Sequence, residues 1–164
     1  MTSKRLLLIF ALAFAVVAAY AQSGFGIKAG VNLPADKVRG GGVEALSGFH
    51  AGVAYNLDFP LGFSFQPSLM YCAEGAKLGE KLPLGCLELM TSLQWGPDLL
   101  VFRPFVDVSP FICYGINGKW TEAGLDRFQY GLGLGGGLDI WHFQLVCRYN
   151  WNFGGVSLSL AYFF

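Results

Sequence analysis

The residues able to do chemistry in this chain are few. Its 164 residues contain four cysteines, two histidines, eleven basic and eleven acidic side chains. Cys72, Cys86, Cys113 and His50 form the first group of interest. If the segments carrying them pair as neighbours, three thiols and an imidazole gather at one height. That set offers three outcomes: zinc ligation by sulfur and nitrogen, a Cys72–Cys86 disulfide, or small, weakly polar filler. No pair has the CxxC spacing that marks a metal or redox motif. The second group is charged: Lys28, Glu88, Asp107 and Arg148, with Arg103 and Asp139 nearby in type and Gln66, Gln94, Gln129 and Gln144 around them. Such residues suit an ion path, or a salt-bridged polar plug in which each buried charge is paired. Ser47, His50 and Glu74 contain the residue types of a hydrolase but no motif that joins them. His142 stands apart.

What places these side chains is an alternation of period two. From Asp126 to the end, Phe128, Tyr130, Leu132, Leu134, Leu138 and Ile140 oppose Gln129, Gly131, Gly133, Gly135, Gly137 and Asp139. After a break near Trp141, Phe143, Leu145, Cys147, Tyr149 and Trp151 oppose Gln144, Val146, Arg148, Asn150 and Asn152. Val156, Leu158, Leu160, Tyr162 and Phe164 then oppose Ser157, Ser159, Ala161 and Phe163. Runs of about ten alternating residues are the mark of a transmembrane β-barrel strand. The alternating glycines between Gly131 and Gly137 resemble a phosphate loop only superficially, because no helix follows. On a strand they leave room for large facing side chains or let the sheet bend.

The same alternation gives five earlier strands: 24–33, 47–58, 63–73, 86–95 and 103–115. Pro67 lacks a ladder donor, so a bulge or break is expected there. Eight strands predict an antiparallel up-and-down barrel with an even count. Parity turns Lys28, His50, Cys72, Cys86, Glu88, Arg103, Asp107, Cys113, Asp139 and Arg148 inward, with Gln66, Gln94, Gln129 and Gln144 around them. The thiol of Cys147 faces outward, and counting through the turn near Pro97 sets Cys113 opposite Cys86. Loops are expected at 34–46, 74–85 and 116–125 on one side, with tight connections near Pro60, Pro97 and Trp141 on the other. Trp95, Trp120, Trp141, Trp151 and Tyr162 fall near strand ends, where aromatic girdles belong.

Composition agrees. Hydrophobic residues make up 54% and charged residues 13%, and the mean hydropathy is +0.47. Beyond residue 20 no apolar run reaches the 18 or so residues of a membrane-spanning helix. Dispersed apolar residues leave a closed sheet as the spanning solution, because a bilayer cannot hydrogen-bond a free sheet edge. A soluble sandwich or lipocalin-like barrel would need a charged exterior that this chain lacks.

Residues 1–21 read as a cleaved signal peptide: Lys4 and Arg5, the apolar stretch Leu6 to Val17, and Ala19-Tyr20-Ala21 before cleavage. Residues 22–164 are then the barrel domain. Loss of Lys4 and Arg5 leaves nine basic against eleven acidic residues, a balance that gives no footing for nucleic acid. Export and barrel together predict the outer membrane of a Gram-negative cell.

The runs Phe25-Gly26-Ile27-Lys28-Ala29-Gly30, Leu87-Glu88-Leu89, Tyr130 to Leu138 and Leu158 to Phe164 resemble the PorT-like outer-membrane β-barrel family. The resemblance covers Gln22 to Phe164. The chain departs from the family at Met90, often a proline there, and in a shorter final loop at Phe153 to Gly155. It implies a small eight-stranded barrel whose C-terminal Leu160-Ala161-Tyr162-Phe163-Phe164 is read by the barrel-assembly machinery. Some relatives are linked to secretion or gliding. The resulting expectation is a monomer in contact with outer-membrane lipids, with a plugged lumen and a structural or interaction role through its external loops. No cofactor and no enzymatic activity are expected. An outer-leaflet lipid-modifying enzyme and a narrow pore are the alternatives.

Overall fold

The structure is a computed structural model and describes residues 22–34, 44–78, 80–118, 126–151 and 154–164. Eight strands follow one another: β1 (Gln22–Pro34), β2 (Glu44–Phe59), β3 (Phe63–Leu78), β4 (Glu80–Trp95), β5 (Arg103–Gly118), β6 (Phe128–Ile140), β7 (Phe143–Asn150) and β8 (Gly155–Phe163). Each pairs antiparallel with the next, and β8 closes on β1 through pairs such as Ala29↔Leu160. The result is an up-and-down barrel with no free edge around its body, which satisfies the backbone without water.

Its surface is inverted relative to a soluble protein. Among the described residues, fourteen polar or charged side chains are buried against eleven hydrophobic ones. The outward positions carry Ile27, Val53, Leu69, Leu89, Ile112 and Leu160, all exposed. Parity therefore acts as the alternation requires: β5 and β7 read buried–exposed–buried along their length. Aromatic contacts cluster at both ends. Phe63–Trp95 and the Phe143–Tyr162–Phe164 chain lie at the end carrying the chain termini, and Tyr149–Trp151 lies at the other. Trp120 lies outside the described residues.

The connections at the terminal end are tight. A single 3-10 turn, Pro60–Gly62, joins β2 to β3, with Leu61 at φ 67°. Trp141, at φ 56°, turns β6 into β7. Leu99 and Phe102 bridge within the connection between β4 and β5.

At the opposite, loop end the expected strand limits are too short. Residues 74–85 are not a loop: β3 and β4 stay paired from Glu74↔Leu84 to Leu78↔Glu80. Polar and glycine-rich composition suggested a loop, but two strands already in register extend by adding one rung at a time. β2 extends back to Glu44 and β5 forward to Gly118, so the expected loops 34–46 and 116–125 shrink to 35–43 and 119–125, outside the described residues. The strands β2 to β5 thus stand as a taller wall, with the β3–β4 hairpin projecting six residues past Cys72, about 20 Å along the strand.

Pro67 produces no bulge. Its ladder to β2 lapses between Ala54↔Ser68 and Leu57↔Phe65 without a change of register, while its other side pairs normally with Thr91. A proline removes only one donor, so only the edge that the donor would have faced is interrupted. Register shifts fall instead between Leu46 and Phe49 and between Gly85 and Cys86.

Candidate functional site in the barrel lumen

The centre of the lumen is built around Arg148, whose side chain reaches across a neighbouring strand. Arg148 lies on β7, opposite Gly135 of β6, and Gly135 in turn lies opposite Asp107 of β5. A Cβ at Gly135 would sit 2.8 Å from both Asp107 Oδ1 and the Arg148 Cα, and one at Gly133 would strike the Arg148 side chain. The glycines of β6 are therefore a groove that carries the guanidinium to its partners. Nε and Nη2 of Arg148 donate to Asp107 Oδ2 at 3.0 and 2.5 Å. Nη2 also donates to Ser92 Oγ, and Nη1 to Met90 Sδ, both at 3.1 Å. Ser109 Oγ lies 2.6 Å from Asp107 Oδ2 and 2.8 Å from Ser92 Oγ. With one proton to give, Ser109 donates to the carboxylate and accepts from Ser92. Both ions of the Arg148–Asp107 pair are buried, at 2% and 0% side-chain exposure.

Lys28 and Glu88, the other two expected members, line the same small cavity as Arg148, with Met90, Asn150 and Ser159. That cavity measures about 10 Å³, close to one water in size. Lys28 Nζ and Asn150 Oδ1 are buried there without a hydrogen-bond partner among the described residues. A donor and an acceptor facing one water-sized space suit a bridging water. The expected polar plug is thus brought together, with Arg148–Asp107 as its direct ion pair.

Three thiols meet toward the loop end. Cys72 and Cys86 are directly paired across β3 and β4. Cys113 is not opposite Cys86, as counting through the turn had suggested. The register that runs unchanged from Trp95↔Val106 sets Glu88 against Cys113 and Gly115 against Cys86, leaving Cys86 and Cys113 diagonal. The Cys86 thiol has both other thiols as near neighbours. All three are buried as thiols, while Cys147 is exposed on the outer face.

His50 is paired in register with Cys72 but turns the other way. Nδ1 lies 2.9 Å from Asn32 Oδ1 and Nε2 lies 2.8 Å from Ser159 Oγ. Nδ1–H donates to the amide oxygen, which leaves Nε2 to accept from the serine hydroxyl. The imidazole passes over Gly30, where any Cβ would collide with it. Among the described residues no group of three or more His, Cys, Asp or Glu side chains is arranged to hold a metal ion. Ser47 is exposed on β2, and the Glu74 side chain lies outside the described residues.

A second polar network, toward the terminal end, was not anticipated as a unit. Gln144 Oε1 accepts from Gln66 Nε2 at 2.9 Å, and Gln144 Nε2 donates to Gln94 at 3.3 Å. Arg103 Nη1 bonds Asp139 Oδ2 at 2.8 Å, and Arg103 lies 3.6 Å from both Asp58 and Asp98. It also donates to Ser64 Oγ and stands over the Phe105 ring. Parity had turned Arg103, Asp139 and the glutamines inward. Direct pairing of Arg103 with Asp139 across β5 and β6 was the signal that would have joined them. Below this network an open vestibule of about 610 Å³ leads out between Phe63, Trp141 and Phe163.

Closed topology and inverted burial place the molecule in the class of small membrane-type β-barrels. A solved structure titled "De novo design of transmembrane beta-barrels" is similar, with a TM-score of 0.50 and 13% identity. The match covers 86% of this chain and 95% of that one. At that identity the likeness speaks for the fold alone. No family model matches the chain, and no curated protein matches it.

Proposed function

We propose that this protein is a small, monomeric barrel of a Gram-negative outer membrane, of PorT-like type, with a closed lumen and an interaction role at its loop end. The observation that carries the reading is the packing of the lumen. Arg148, Gln66, Gln94, Gln144, Val146 and Cys72 are almost wholly buried across its section, and the space left beside Lys28 is about 10 Å³. An interior filled by its own side chains holds the wall rigid and passes no solute. The surface offered for recognition is the β3–β4 hairpin that rises above the rim; the connections 35–43 and 119–125, also expected as contacts, lie outside the described residues. In this reading the apolar band meets outer-membrane lipids, and the C-terminal Phe164 is read by the assembly machinery.

Two experiments test it. Purified protein in planar bilayers gives no unitary conductance; steady channel events abolished by Glu88→Gln would replace the plug with a pore. Co-purification from cross-linked cells then compares the native chain with one whose 74–84 tip is cut to a two-residue turn. The interaction reading expects a partner lost with the tip, and equal recovery from both chains argues against it.

One observation favours an outer-leaflet lipid-modifying enzyme as a second reading. Ser159, His50 and Asn32 stand in the order nucleophile, base and orienting group. Ser159 is 3% exposed, and the adjoining cavity is far too small for an acyl chain. The enzyme reading requires a fluorophosphonate probe to label the folded barrel at Ser159, with labelling lost in His50→Ala. The plugged-barrel reading expects no labelling.

A further inference from the structure

The three lumen thiols are not equivalent, and the register separates them. Residues directly opposite on antiparallel strands have Cα atoms about 4.5 or 5.5 Å apart, inside the roughly 4.4–6.8 Å range that a disulfide spans. Cys72 and Cys86 are such a pair, both turned into the lumen, with their thiols neighbours there. Diagonal neighbours lie about 7–8 Å apart, beyond the roughly 7 Å at which bridging requires backbone movement. Cys86 and Cys113 are diagonal, because Cys86 stands opposite Gly115 and Cys113 opposite Glu88. Thiol proximity alone would allow either bridge, but backbone spacing favours one.

We propose that Cys72 and Cys86 are a disulfide site, with Cys113 remaining a thiol against the bridge. This rests on the reading of the chain as exported, since the oxidising side of the inner membrane is where such bonds persist. The oxidant is a small or protein-borne disulfide. The Cys86 thiolate attacks it, giving a mixed disulfide and releasing one thiol. The Cys72 thiolate then attacks the Cys86 sulfur and expels the second thiol. Two protein thiols become one disulfide, and the oxidant is reduced to two thiols. Burial of Cys72 and Cys86 to 2% exposure places this exchange before or during closure of the barrel, and afterwards shields the bridge from reductants. The bond lies where the projecting hairpin leaves the barrel wall. It closes the segment 72–86 and so pins the base of the element assigned to recognition.

The test refolds the denatured chain into detergent micelles with a mixture of reduced and oxidised glutathione. Folding is followed by heat-modifiable gel migration. Samples are then acid-quenched, unfolded and alkylated before and after reduction. The expected result is two alkylated thiols before reduction, Cys113 and Cys147, and four after it. Mapping with trypsin and chymotrypsin together, which separates Cys86 from Cys113, should link the peptides carrying Cys72 and Cys86. Cys113→Ser should keep the bridge and Cys72→Ser should abolish all bridging. Four alkylated thiols in the folded barrel before reduction, a glutathione adduct left on Cys86, or a Cys86–Cys113 bridge would each overturn the assignment. Alkylation of the chain recovered from cells reads export separately: a bridge formed in micelles but absent in cells faults the export reading and leaves the site standing.

Discussion

Arg148 shows how a charge survives inside this barrel. Its guanidinium gives up water for two bonds to Asp107, one to Ser92 and one to Met90. The cost of desolvating two ions is offset only while both are present. Asp107→Asn should therefore destabilise the folded barrel by roughly 3–5 kcal/mol, the range for removing one partner of a buried pair. Replacing both residues with apolar ones of similar size should cost much less. Urea titration of gel-shift migration in detergent measures both variants, and equal costs would show that the pair does not act as a unit. The contrast with Arg103 is instructive. Its partners Asp58 and Asp98 are 44% and 78% exposed, so those two contacts add little beyond the bond to Asp139.

Residue types and parity made the membership of the lumen legible from sequence: Lys28, Glu88, Asp107, Arg148 and the three thiols all turn inward. Partner choice was less accessible. Arg148 reaches Asp107 only because Gly135 lies between them, and Cys113 misses Cys86 by two residues because the β4–β5 register sets Gly115 opposite Cys86. Alternation tells which face a residue occupies, but the stagger between strands decides whom it meets.

At the level of elements, β6 works as a groove as much as a strand. Gly133, Gly135 and Gly137 face Arg148, Asp107 and Phe105, and the ring of Phe105 would lie 2.6 Å from a Cβ at Gly137. A Cβ at Gly135 would also collide with the backbone oxygen of Cys147, an atom that cannot rotate away. Gly135→Val should therefore reduce the yield of folded barrel severely. Gly154→Ala is the control: nothing lies within 4 Å of its added methyl, and only its φ of 56° is unfavourable, a cost of about 1 kcal/mol. Refolding yields by gel shift compare the two, and equal yields would contradict the groove. The hairpin of β3 and β4 is the element that composition misjudged. Glycine and charge between residues 74 and 85 suggested a loop, yet pairing continues through all of it. Strand extension above the rim depends on the neighbouring strand, which a local window does not see.

For the whole molecule, the account depends on one inversion: apolar side chains outward, polar ones packed within. The alternation legible in the sequence fixes that inversion, and closure of β8 on β1 turns it into a cylinder with an apolar band. Its most direct test is tryptophan quenching in vesicles of lipids brominated at mid-chain. Leu89→Trp, on the outer face at mid-barrel and 48% exposed in the native chain, is read against a background with Trp95, Trp120, Trp141 and Trp151 changed to Phe. Strong quenching by the mid-chain bromines, with no quenching by aqueous iodide, is the result expected of a spanning barrel. A tryptophan at position 89 untouched by the brominated chains would contradict it.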